Sequence, residues 1–195
     1  MIIPVVAYGD PVLRKKCEDI TKEYDKLNDL LKNMWETMYN ANGVGLAAPQ
    51  IGLPIRIFLI DTTQMLDKGD KLKKQYSVKK GETGIKKTFI NAKITKRIGA
   101  EWPYNEGCLS IPTVREDVVR QVGIEIEYFD ENFKKLKETY DGLASRVIQH
   151  EYDHIEGILF TDHLKPLKKT LLKKKLEKVS KGRVDVDYRM KFPKK

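Results

Sequence analysis

Apolar residues recur at steps of three and four in three stretches of the chain and at every second residue in others. These two periods separate helices from strands. Between Asp25 and Asn42, Leu27, Leu30, Leu31, Met34 and Met38 share one helical face, Asn28, Asp29, Lys32 and Asn33 take the other, and Gly43 ends the helix. A second helix follows Asp141-Gly142, with Leu143, Val147, Ile148 and Ile155 apolar and Gly157 as its stop. A third opens at Pro166, where Leu167, Leu171, Leu172, Leu176 and Val179 form one stripe and lysines cover the rest up to Gly182. The unbroken run Ile55–Asp61 reads as a buried strand, and strand character resumes from Thr88 to Gly99. Val122–Phe129 and Lys134–Tyr140 alternate on either side of Asp130-Glu131-Asn132, the pattern of an antiparallel hairpin. The start, Met1–Val6, reads as a first strand or extended arm. Two glycine-bearing loops, 43–52 and 102–112, and a long polar surface excursion, 62–87, complete the pattern.

The chain has 195 residues, of which 41% are hydrophobic, enough for one globular unit with a sizeable core. No apolar run approaches a membrane span, and the first residues lack the basic start and length of a signal peptide. The two cysteines, Cys17 and Cys108, do not make a disulfide framework, so a reducing, cytoplasmic setting is expected, with Cys17 as a small packed side chain. The net charge of +9 is uneven. Residues Lys165–Lys195 hold 13 Lys and Arg against 3 acidic residues, and Thr62–Thr88 hold 8 Lys against 3, so the remaining body is acidic. That distribution fits docking to a polyanion through appendages, and equally a set of solvated lysine faces. Residues 1–164 are expected to form a single catalytic metallohydrolase domain, with 165–195 a basic helix and tail packed on it.

The chemistry concentrates in Gln149-His150-Glu151-Tyr152-Asp153-His154, which holds two of the three histidines. On a helix, His150 and His154 stand one above the other and can bind one metal ion. Glu151 lies about 100° round the helix, free to take a proton from an attacking water without ligating. A catalytic metal commonly takes three protein ligands and keeps one position open. The extension that would add a histidine after His-x-x-Gly-x-x falls on Phe160, with His163 three residues too late, and Glu177 on the lysine-rich helix is more simply an exposed ion-pair partner. Cys108, between Gly107 and Leu109, remains. A Cys-His-His set suits zinc or ferrous iron. Gln50 is the one polar side chain in an apolar, glycine-rich loop, where a buried amide needs partners or a task.

Three stretches together, Gly43-Val44-Gly45-Leu46-Ala47-Ala48-Pro49-Gln50, Glu106-Gly107-Cys108-Leu109-Ser110 and Gln149–His154, resemble the three motifs of the peptide deformylases, in the family's order. The resemblance runs from about Val6 to His163 and includes the Gly9-Asp10-Pro11-Val12-Leu13-Arg14 opening. It implies an α+β fold of antiparallel sheets around a central helix carrying the two histidines, plus a C-terminal helix. It implies removal of the formyl group from the N-terminal formylmethionine of nascent chains. The family's metal is typically Fe²⁺, with Zn²⁺, Ni²⁺ or Co²⁺ as substitutes. Cys108, His150 and His154 would be the ligands, Glu151 the proton carrier, and the Gln50 amide and Leu109 backbone N–H the oxyanion donors. Gly45 would offer backbone contacts to an extended peptide, and Val44, Tyr104, Leu143 and Val147 would form the methionine pocket. Arg146 stands where some members are apolar, and Arg115 either contacts substrate or braces Glu106. The basic C-terminal helix resembles bacterial tails that dock on the ribosome, which makes ribosomal RNA the expected partner of the Lys168–Lys181 face; neither DNA nor a membrane is expected.

Two other functions fit parts of the pattern. One is a different metal-dependent amidohydrolase or peptidase of the H-E-x-x-H type. The other is a catalytically dead RNA-binding protein, which would be expected to have lost a ligand or the base, whereas Cys108, Glu151 and Gln50 are all present.

Overall fold

The computed structural model describes residues 1–67 and 84–193. The expected polar excursion over 62–87 falls largely on 68–83, outside the described residues; its start is a short helix, α2 (Thr63–Asp67).

Helix α1 (Leu27–Asn40) buries Leu27, Leu31, Met34 and Met38 on the face read from the three-and-four spacing. Strand β2 (Gly45–Ala47) follows, then a 3-10 turn over Ala48–Ile51 that carries Gln50, then β3 (Ile57–Asp61), buried at all five positions. Two long strands come next, β4 (Lys86–Cys108) and β5 (Ile111–Phe129), and the short β6 (Lys135–Tyr140) completes a five-stranded antiparallel sheet in the order β2-β3-β4-β5-β6. The hairpin read from alternation is β5–β6, with Ile124, Ile126 and Tyr128 buried.

The stretch 102–112, expected as a loop, is instead the end of β4, a tight turn and the start of β5. Trp102 pairs with Arg120, Tyr104 with Val118 and Glu106 with Glu116. The pairing slips near Gly99, at φ +80°, and resumes, so β4 bends there without ending. Pro103 lies beyond the Lys86–Ile90 stretch over which β3 pairs with β4, so among the described residues it interrupts no β3–β4 ladder.

Helix α3 (Gly142–Ile155) is buried at every position except Tyr152 and packs on β2, β3 and β5. Leu143, Val147, Ile148 and Ile155 join Phe58, Ile60, Phe89, Ile124 and Ile126 in one apolar cluster. Its other faces carry Arg146, Gln149, His150, Glu151, Asp153 and His154, all buried. The helix stops at Gly157, φ +74°, where a Cβ would sit 2.7 Å from the Arg14 carbonyl oxygen.

Helix α4 (Pro166–Ser180) packs Leu172, Leu176 and Val179 inward, but Leu167 and Leu171 are 73% and 71% exposed. The expected single stripe is therefore two. At about 100° per residue, Leu171 lies a quarter-turn off the axis through Leu172, Leu176 and Val179. Beyond the helix the tail returns to the body: β7 (Met190–Lys191) pairs with β1 (Val5–Val6). That pair is parallel, unlike the five-stranded sheet, and two residues are too short to show a period in the sequence.

Candidate metal centre

Cys108 ends β4 and reaches α3 from the sheet, while His150 and His154 come one turn apart on α3 itself. The two rings lie 5.1 Å apart, nearly perpendicular. The Cys108 Sγ is 3.2 Å from His154 Nε2, and the ligand atoms of Cys108, His150 and His154 all fall within 4.8 Å of one another. One sulfur and two imidazoles, with no carboxylate among them, is a donor set of the kind zinc and ferrous iron accept. Burial pushes the Cys108 thiol up, but the two histidines outweigh it and bring it to about 5, so the sulfur stands as thiolate at neutral pH. His154 Nδ1 is buried without a hydrogen-bond partner among the described residues.

The second nitrogen of His150 is spoken for. Its Nδ1 lies 3.0 Å from Glu106 Oε2. Burial opposes the charge on Glu106, but hydrogen bonds from His150 and Arg120 hold its pKa far below the usual carboxylate range. Glu106 is therefore an acceptor, Nδ1 carries the proton, and Nε2 is left for the site. Glu106 is itself gripped by Arg120, at 2.8 and 3.0 Å, and by Arg146 at 2.9 Å. Arg120 also donates to Asp153 at 2.6 Å, and His163 meets the same carboxylate oxygen at 2.7 Å. Two buried arginines and two buried carboxylates thus satisfy one another directly behind the histidines.

Glu151 points the other way. Its Oε2 is buried without a partner among the described residues. Burial, against the pull of His150 and His154, raises its pKa to about 7. A Cβ at Gly45 would lie 2.4 Å from Glu151 Oε1, so the missing side chain on β2 is what makes room for this carboxylate. Gln50 is fixed at both ends: its Oε1 accepts from the Ala47 N–H at 2.8 Å, and its Nε2 donates at 3.4 Å to Cys108 Sγ and to Ser110 Oγ.

A cavity of about 430 Å³ opens over these groups. Val44, Gly45, Gln50, Tyr104, Leu109, Arg115, Val147 and Glu151 all lie on its wall, beside Cys108 and His150. Leu143 sits below, buried in the same apolar cluster as Val147 and Tyr104. Arg146 is a charged part of the wall, with its guanidinium over the Trp102 ring at 4.7 Å and the Tyr104 ring at 5.6 Å. Arg115 holds Asn105 through its side-chain oxygen at 2.9 Å and its carbonyl at 2.6 Å, while Glu106 is braced by Arg120 and Arg146.

Sequence reasoning did not single out Arg120, Asp153, His163 or Tyr188 as part of the site. Arg120 leaves a trace: it takes the same strand face as the buried Val118, an inward position where a charge demands a buried partner. Tyr188, on the C-terminal tail, leaves none, yet it lies on the cavity wall.

A family model described as polypeptide deformylase matches residues 2–170. The chain belongs to that family. Its members are metalloenzymes that remove the formyl group from nascent chains. A peptide deformylase of Christiangramia forsetii is 59% identical over 99% of this chain and 97% of its own length. One of Flavobacterium psychrophilum is 59% identical over the whole of both. Among solved structures, a peptide deformylase from Legionella pneumophila superposes with a TM-score of 0.77 at 33% identity, covering 94% of this chain and 98% of that one. The enzyme from Thermotoga maritima gives 0.70 at 32%, covering 85% and 99%. The α+β architecture is thus the family's.

Proposed function

We propose that this deformylase releases formate from N-formylmethionyl chains at the cavity over α3, with Cys108, His150 and His154 holding one divalent metal, Fe²⁺ in the cell and Zn²⁺, Ni²⁺ or Co²⁺ as substitutes. The observation that carries the reading is the buried Glu151 carboxyl beside the converging thiolate and imidazoles, in the one space that Gly45 leaves for it. When bound, the metal supplies a Lewis acid that makes water nucleophilic near neutral pH. Glu151, with a pKa of about 7, accepts a proton from the attacking water and returns it to the departing amine. The Gln50 amide, held by Ala47, and the Leu109 backbone N–H meet the oxygen that develops negative charge. β2 is the edge of the five-stranded sheet and its Gly45 lies on the cavity wall, so an extended peptide adds along it, with the methionine side chain against Val44, Tyr104 and Val147. Leu143 supports that pocket from beneath.

The test is formate release from a formyl-Met dipeptide under anaerobic conditions, beside its acetyl analogue, before and after chelation. Turnover confined to the formyl substrate and lost with the metal is expected. Equal turnover of the acetyl peptide, or cleavage of internal peptide bonds, would move the assignment to a general amidohydrolase.

The exposed lysines of α4 are the proposed contact with ribosomal RNA in the cytoplasm, supported by their charge on an acidic body. No helix among the described residues is long and apolar enough to cross a membrane. Charge reversal at Lys174, Lys175 and Lys178 should abolish co-sedimentation with ribosomes at low salt; unchanged pelleting would refute the contact.

A further inference from the structure

The family match ends at residue 170, yet the tail beyond it reaches the reaction centre. After α4 the chain turns back at Gly182, whose φ of +67° suits glycine. The tail then zips against β1: Val5 N–H donates to the Arg189 carbonyl at 2.8 Å and Ala7 N–H to the Lys191 carbonyl at 2.9 Å. This docking carries Tyr188 to the cavity that holds Glu151, Gln50 and Cys108. There the Tyr188 hydroxyl donates to the Leu109 carbonyl at 2.7 Å. One residue on, the N–H of Tyr8, two residues past β1, donates to the Ser110 carbonyl at 2.8 Å.

The turn from Cys108 to Ile111 therefore has two successive carbonyls held from outside the five-stranded sheet, by Tyr188 and Tyr8, which flank the β1–β7 pair. Those bonds fix the two peptide units that follow the Leu109 N–H, and with them the direction in which that N–H points. An oxyanion donor is effective only when pre-aimed, because reorientation during reaction forfeits its advantage. The turn sits at the Cys108–Ile111 pair, where the β4–β5 register slips between Gly107 and Cys108, so the ladder alone gives it little rigidity.

We propose that Tyr188 is a positioning residue for deformylation, so that the C-terminal tail completes the active site. The inference rests on the deformylase reading and on Leu109 as an oxyanion donor. The Tyr188 hydroxyl aims the Leu109 N–H, and its ring closes one side of the cleft the peptide occupies.

The test uses the full-length, metal-loaded protein with Tyr188→Phe and Tyr188→Ala, measuring kcat and KM for a formyl-Met dipeptide, metal content and thermal midpoint. Loss of one orienting hydrogen bond should lower kcat about 3- to 10-fold in Tyr188→Phe, with KM within about twofold and metal content unchanged. Tyr188→Ala should add a several-fold rise in KM, since the ring is gone as well. A lower thermal midpoint with wild-type kcat and KM in both variants would overturn the proposal, as would a loss of kcat that tracks loss of metal. A wild-type protein that releases no formate would instead refute the deformylase reading beneath it, so the two failures are told apart by the unmutated control.

Discussion

The narrowest tolerance in the site is at Gly45, where a Cβ would lie 2.4 Å from the Glu151 carboxylate. Because Glu151 is buried on α3 and Gly45 lies in β2, neither backbone moves without disturbing the sheet. Gly45→Ala should therefore push the carboxylate aside, lowering kcat at least about tenfold while the three ligands still bind metal; steady-state kinetics beside metal analysis checks this. At this scale the sequence was informative where chemistry is local. His150, Glu151 and His154 stand out by their spacing on one helix and Cys108 by its glycine-flanked position, and the structure brings Cys108, His150 and His154 together. Arg120 and Tyr188 do not stand out, because their importance comes from what they touch, 14 residues from Glu106 and 79 from Leu109.

Among the elements, α3 is unusual in burying charge on the side away from the core. Arg120 links Glu106 to Asp153 from β5, and each is at least nine-tenths buried. Arg120→Met should cost about 3 kcal/mol, since it takes the shared cation from two buried carboxylates and leaves Glu106 to Arg146 and His150, and Asp153 to His163, and should weaken metal binding by loosening the His150 ring; denaturant unfolding and metal titration read the two effects separately. A second clasp joins three strands: Lys87 of β4 meets Glu138 of β6 at 2.7 and 2.8 Å, and Tyr128 of β5 and Tyr140 of β6 donate to the same carboxylate. Burial raises the pKa of Glu138, but those hydrogen bonds outweigh it and leave it below its ordinary value. A depressed carboxyl contributes stability above its unfolded pKa and loses it as pH falls through the folded value. Glu138→Gln should thus cost about 0.5–1 kcal/mol at pH 7, modest because the clasp is one-third exposed, and progressively less toward pH 3 as the carboxyl takes up its proton. An equal cost at both pH values in urea titrations would contradict it. The hairpin β5–β6 and the face of α1 were legible because one period runs their whole length. The 102–112 stretch carries the local marks of a loop in its Pro and Gly, while its strand character comes from distant partners such as Arg120 and Val118 that the local pattern does not show.

Over the whole molecule, the basic charge and one wall of the cavity share the C-terminal segment. Helix α4 turns lysines outward beside the exposed Leu167 and Leu171, and the chain after it delivers Tyr188 to the cavity. The basic end was visible in composition. Its return to the body was not, because a two-residue parallel pair leaves no pattern in sequence. Removing 182–195 should therefore impair turnover itself, a separate effect from any loss of ribosome contact; a dipeptide assay without ribosomes distinguishes them. The central claim is that Cys108, His150 and His154 hold the metal while Glu151 moves the proton. The most direct measurement compares wild type and Glu151→Gln, prepared anaerobically, for metal content and formate release from formyl-Met dipeptide on the same samples. Equal metal with kcat lowered by at least about a hundredfold in Glu151→Gln is the expected result. Undiminished turnover in a metal-replete Glu151→Gln protein would contradict the account.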